Sequence, residues 1–296
     1  MLETPALLAH SADLELVIRH VLAGLGHGIH AGRERGAGVE FSEYRAYAPG
    51  DEWRRVDWKL LARADRYYVR EAERDSHVAT WLVLDASASM TEPSRRVDGL
   101  SKHWYARTAL ACVAAIAQRQ GDAFGLLVLS NGKVEFTPAS RGPRHLQRVL
   151  AALQRAAPGG SLPDAETLRA GLHFARSQGM VFAATDALDW PSPLGDALVR
   201  LRHMRHDVRL LALRTEAEVE GDFHAGQAYR DPEQDAGLHR FTRTDRDLYR
   251  AGLAAHFDAV RSACRQHDLP LCEAQIEQAL GEVLRAWLRN PEARRP

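Results

Sequence analysis

Residues 78–90 read Val-Ala-Thr-Trp-Leu-Val-Leu-Asp-Ala-Ser-Ala-Ser-Met. The stretch 78–84 is a nearly continuous apolar run, the pattern of a strand buried on both faces. It stops at Asp85, and Ser87 and Ser89 follow at alternate positions. In a loop leaving a strand, oxygens at i, i+2 and i+4 can turn toward one point. One carboxylate and two hydroxyls suit a hard cation such as Mg²⁺, which takes oxygen ligands and keeps some waters.

Outward from this stretch, strand-like and helix-like segments alternate. Helices are predicted at 101–120, 143–156, 163–178, 193–204, 245–266 and 276–288. Apolar strands are predicted at 123–129, 180–185 and 207–213, with a short one at 270–275. Asn131-Gly132 signals a hairpin turn, and 214–240 is polar and expected to be irregular. Alternating β and α segments predict an α/β fold with a doubly wound, mostly parallel sheet. Ligands of such sheets bind beyond the carboxyl ends of the strands, at a switch point. Two further groups fall at strand or loop ends: Thr185-Asp186, after MVFAA, and Gly159-Gly160-Ser161, where the glycines allow a tight approach.

Ahead of the sheet, residues 9–25 carry Leu14, Val17, Ile18, Val21, Leu22 and Leu25 on one helical stripe. A glycine-rich run, Gly24 to Gly38, marks loop or turn. Residues 39–47 alternate as an edge strand does, and 50–75 are dense in charge and aromatics. The expected division is an N-terminal appendage, 1–75, and an α/β domain, 76–290.

Asp85-x-Ser87-x-Ser89 after an apolar strand, a later Gly-Gly-Ser and a strand-terminal Thr-Asp together resemble the von Willebrand factor A fold. That resemblance implies a metal-ion-dependent adhesion site formed by Asp85, Ser87, Ser89, Ser161 and Asp186 and holding Mg²⁺ or Mn²⁺. Ser161 stands where that family commonly has threonine, and the hydroxyl is kept. Glu40-Phe41, Arg45, Tyr47, Gly50-Asp51, Arg54, Val56-Asp57-Trp58 and Ala62-Arg63 resemble the signature of the bacterial domain-of-unknown-function family fifty-eight. Many of its members carry two N-terminal transmembrane helices; this chain resembles the shorter, soluble form. The resemblance also implies a protein partner, a MoxR-type AAA+ ATPase or its client.

Composition bounds the function. The 39 basic and 39 acidic residues cancel, which argues against coating of phosphate backbones. The basic residues of 50–75 interleave with acidic ones, as on a solvated or paired face, so no nucleic-acid partner is expected. Arg45, Asp51, Arg54, Asp57, Trp58 and Arg63 are candidates for a partner-binding surface; the alternative is a network of arginines paired with carboxylates and stacked on tryptophan. No stretch reaches 18 uninterrupted apolar residues and no signal-peptide pattern opens the chain, so no transmembrane segment and a cytoplasmic location are expected. Cys112, Cys264 and Cys272 are odd in number and lack C-x-x-C, consistent with reduced thiols. His203 and His206, and His27 and His30, are spaced three apart without an obvious third zinc ligand. No P-loop, no G-x-G-x-x-G after a strand and no G-x-S-x-G is present, and the first buried strand is followed by Asp85-x-Ser87 rather than D-x-D. A non-enzymatic protein that captures a partner carboxylate at a divalent cation is therefore expected. The alternatives are a metal-dependent phosphoesterase and a structural module with a vestigial site.

Overall fold

A computed structural model of the chain describes residues 14–25, 43–46, 67–71, 79–172, 178–222, 228–229, 233, 239–240 and 245–289. The chain divides into two units, Gly32–His77 and Met1–Ala31 with Val78–Pro296. In the smaller unit β1 (Glu43–Ala46) pairs antiparallel with β2 (Tyr68–Glu71), Arg45 lying opposite Val69. The other candidates for a partner surface, Asp51, Arg54, Asp57, Trp58 and Arg63, lie outside the described residues, as do His27 and His30.

The larger unit is built on a six-stranded sheet. Its strands are β3 (Ala79–Asp85), β4 (Phe124–Ser130), β5 (Lys133–Ser140), β6 (Gly179–Thr185), β7 (Asp207–Arg214) and β10 (Leu271–Gln275). A two-residue pair, β8 (Ala228–Tyr229) with β9 (His239–Arg240), stands apart from it. The spatial order is β10-β7-β6-β3-β4-β5, parallel except for the antiparallel edge strand β5. From β3 the chain adds β4 and β5 on one side, then crosses over to add β6, β7 and β10 on the other. This is the doubly wound order, with its switch point between β3 and β6.

Period-2 alternation assigns each strand's side chains to two cores. Leu82, Leu84, Leu126, Val128, Phe182, Ala184, Leu211 and Leu213 fill one. That face is covered by α1 (Leu14–Leu25), α2 (Lys102–Gln120), α3 (Pro143–Arg155) and α8 (Leu280–Leu288). Trp81, Val83, Leu127, Leu129, Val181, Ala183, Val208 and Leu210 fill the other, against α4 (Ala165–Gly171), α5 (Pro193–His203) and α7 (Asp245–Gln266). Because both faces are covered, β3 reads as an unbroken apolar run.

Local signals explain the element ends. Ser101 caps α2 by accepting from the Trp104 amide, and Gly121 closes it in the left-handed region, φ 76°. Asn131 and Gly132, with φ 50° and 68°, make the two-residue turn from β4 to β5. Several expectations shift, and the closing helix, expected over 276–288, begins only at Leu280. The helix expected over 163–178 is seen as the shorter α4, capped by Asp164 and ending at Gly171, with 173–177 outside the described residues. Within 214–240, expected to be irregular, a short helix α6 (Glu216–Glu220) forms, because Thr215 and Glu218 make a reciprocal capping box. The helix at the start of the chain, expected in the appendage, packs Leu14, Val17, Ile18, Val21 and Leu22 into the first core. It thus groups with the sheet, while the separate unit runs from Gly32 to His77. No helix among the described residues is long and apolar enough to cross a membrane.

Candidate metal centre

The carboxyl ends of β3 and β6 lie side by side, Leu84 registered with Ala184. Asp85 therefore meets the residues that follow β6. Its Oδ2 accepts a hydrogen bond from the Thr185 hydroxyl at 2.5 Å, and its Oδ1 accepts from the Ser87 amide at 2.8 Å. The Thr185 oxygen in turn accepts from the Ala187 amide at 3.0 Å. After Ser87 the chain makes a 3-10 turn, Ala88–Thr91, which swings Ser89 back so that its Oγ lies 3.1 Å from Ser87 Oγ. Asp85, Ser87 and Asp186 are buried and Ser89 is half-buried.

The Gly-Gly-Ser loop is tied to the motif by backbone. Gly159 N–H donates to Ala86 O at 2.9 Å, and Ala88 N–H donates to Gly160 O at 2.8 Å. Gly160 is required twice over: its φ is +59°, and a Cβ there would fall 2.8 Å from Asn131 Cα. Ser161 follows on this loop with an exposed side chain, its carbonyl accepting from the Gly132 amide at 2.9 Å. The structure thus brings Asp85, Ser87, Ser89 and Asp186 together and places Ser161 at the rim.

Asp186 has a partner that the sequence reading did not supply. Its Oδ1 accepts from the Leu188 amide at 3.2 Å, and its Oδ2 lies 2.7 Å from Lys102 Nζ. The same ammonium lies 2.9 Å from Glu218 Oε1, and Lys102 is 0% exposed. The second oxygen of Glu218 accepts from the Thr215 amide at 2.7 Å, as the capping box requires. A further carboxylate reaches the motif from the polar segment: Glu233 Oε1 accepts from the Ser89 amide at 3.2 Å.

The electrostatics are those of crowded negative charge. Burial, and then the charge of Asp186, push the Asp85 carboxyl up to about 7, against the pull of hydrogen bonds from Thr185 and Ser87. Burial alone pulls Lys102 down, but the carboxylates of Asp186 and Glu218 hold its ammonium above the usual lysine range. Glu92 is raised by burial and by Glu218.

The donor set fits a hard cation. Its donors are all oxygen, and the two hydroxyls are spaced close to the cis edge of an octahedron, about 2.9 Å for bonds of 2.0–2.1 Å. A buried carboxylate whose proton affinity is raised by a second carboxylate is relieved by a bound cation. Among the described residues no group of three or more His, Cys, Asp or Glu is placed to hold a metal ion, and the oxygens gathered here include the hydroxyls of Ser87 and Ser89. The His203/His206 pair is not a ligand pair: α5 ends at His203, whose ring packs edge-on against His267, and His206 lies beyond the helix. All three cysteines are free thiols.

Lys102, Glu218 and Glu233 are the residues the sequence did not point to; Thr185 stood in the strand-terminal Thr-Asp pair, though not among the expected ligands. The Thr215-x-x-Glu218 box was a readable signal for a helix start. Nothing in the spacing points from Lys102 to Asp186.

Fold and site define a doubly wound α/β protein with an oxygen-rich acidic site at its switch point. Residues 43–261 match the family model described as "Protein of unknown function DUF58", and the chain belongs to that family. Uncharacterized proteins of Mycobacterium tuberculosis and Mycobacterium bovis are each 29% identical to it, over 96% of this chain and 90% of theirs. Among solved structures, BatB from Bacteroides thetaiotaomicron is similar over 72% of this chain and 100% of that one, with 14% identity and a TM-score of 0.43. The SpRpn10 VWA domain is similar over 70% and 93%, with 13% identity and a TM-score of 0.40.

Proposed function

We propose that this protein is a divalent-cation-dependent interaction module that captures a carboxylate of a protein partner. The observation that supports this best is the convergence of Asp85, Ser87 and Ser89 with Thr185 at the switch point, where the charge of the next residue, Asp186, acts on Asp85. Asp85, Ser87 and Ser89 would hold Mg²⁺ or Mn²⁺, with Asp186 and Ser161 contributing directly or through water. With so few carboxylates in the set, the bound ion would keep residual positive charge and an open position for an incoming Glu or Asp. Thr185 orients Asp85, and the glycines of 159–160 hold the rim loop against the motif.

Glu233 adds a second support. A carboxylate of this chain already lies at the Ser89 amide, so the loop that bears the hydroxyls is compatible with a carboxylate ligand. The family resemblance adds a MoxR-type AAA+ ATPase or its client as the partner. The module works by binding rather than by turnover.

Isothermal titration of Mg²⁺ or Mn²⁺ into chelator-treated protein tests the reading. Saturable binding is expected, with a loss of at least about tenfold in Asp85→Ala; equal binding by that variant sinks the assignment. Pull-down of the ATPase is expected in Mg²⁺ and not in EDTA.

A further inference from the structure

We propose that Lys102 is a tethered counter-cation of this site: a positioning residue that holds Asp186 and sets how strongly the oxygens of β3 and β6 attract a divalent ion. The inference rests on the metal-site reading and says how that site is tuned.

The ammonium is clamped from both sides. It lies 2.7 Å from Asp186 Oδ2 and 2.9 Å from Glu218 Oε1, and the residue is buried. Neither carboxylate is loose. The other oxygen of Asp186 is held by the Leu188 amide, and that of Glu218 by the Thr215 amide. Lys102 itself is fixed at the first residue of α2, directly after the Ser101 cap. The charge therefore stays at one point, beside the carboxylate that faces Asp85.

The residue type matters. Lys59, Lys102 and Lys133 are the only lysines among 39 basic residues. In a chain where arginine is the default, the buried position holds a compact point charge, not a planar fork that would need room for five donors. One ammonium against Asp85, Asp186 and Glu218 leaves the cluster short of positive charge when all three are ionised. That deficit is what a divalent ion supplies, and Lys102 and Glu218 set its size with opposite signs.

This gives a test with opposed outcomes. Lys102→Met removes the charge that opposes a cation and leaves Asp186 without a counter-ion. Glu218→Gln leaves the ammonium to Asp186 alone and removes a negative charge. Mn²⁺ binding to the full chain, followed by electron paramagnetic resonance of free Mn²⁺, is expected to tighten at least about tenfold in Lys102→Met and to weaken at least about tenfold in Glu218→Gln. Thermal unfolding in EDTA and in Mn²⁺ is expected to show a larger metal-dependent rise in midpoint for Lys102→Met than for wild type. If Lys102→Met lacks a cooperative transition in EDTA and gains one in Mn²⁺, that too supports the role. If it folds in neither, Glu218→Gln decides.

A structural role alone moves both variants the same way. Equal weakening in both, or wild-type affinity in both, overturns the role of Lys102 and leaves the metal site standing. Binding by Lys102→Met in the absence of binding by wild type supports the inference. No binding by wild type or either variant removes the metal reading and this inference with it.

Discussion

His103 shows how one buried side chain couples the fold to pH. Its Nε2 lies 2.9 Å from the carbonyl oxygen of Ala156, so that nitrogen carries the proton. Nδ1 is buried without a hydrogen-bond partner. Burial, and then the charge of Arg107, lower His103 to about 4, despite the bond to Ala156. The native state thus keeps the ring neutral, whereas the unfolded chain protonates it near 6.5. Its contribution to stability is complete above pH 6.5 and is lost as pH falls from there toward 4, about 3 kcal/mol in all. Urea unfolding at pH 7.5 and 4.5 is expected to show a loss about 2–3 kcal/mol greater in wild type than in His103→Gln. At this scale the sequence shows local patterns of oxygen atoms and not the long-range partners that surround them. Asp85, Ser87 and Ser89 were legible because their oxygens recur at alternate positions. Lys102 was not, because its partners lie 84 and 116 residues away and only the folded sheet brings them together.

Among the elements, the contact of β3, β4 and β5 depends on a missing side chain. Gly125 on β4 leaves room for the Trp81 ring of β3, which lies against the place a Cβ would take, with the Thr137 carbonyl oxygen 2.9 Å from that place. Trp81 then stacks on Phe136 of the edge strand, centroids 5.9 Å apart and planes 22° apart. The ring thus spans β4 and covers the sheet near its edge. Gly125→Ala must push the indole aside, an overpacking that costs on the order of 1–3 kcal/mol. Urea unfolding checks the loss, and a change in tryptophan fluorescence would report the displaced ring. Strand identities were legible here from apolar runs, and the hairpin from Asn131-Gly132. The need for glycine at 125 was not, because it arises from a residue on another strand.

For the whole molecule, alternating segments and buried strands were enough to foresee a doubly wound sheet, and the rule of strand ends then pointed to 85–89 and 185–186. Strand order itself was not readable, since apolar runs do not say which neighbour they choose. The stripe at 14–25 is legible in the sequence as a helix, but what it covers is not. Leu14, Val17, Ile18, Val21 and Leu22 are all buried, and they pack with residues that come after Val78. The chain enters the large unit, leaves it for Gly32–His77, and returns. Its first helix is thus bound to the rest by apolar contact and need not share a covalent chain with it. A peptide of residues 1–31 and a separate 32–296 fragment should reassemble on mixing, with an affinity on the order of micromolar. Fluorescence anisotropy of labelled peptide measures it, and Leu22→Asp in the peptide should abolish the rise. The protein would then be, by construction, a two-piece reporter whose halves come together without any engineered interface.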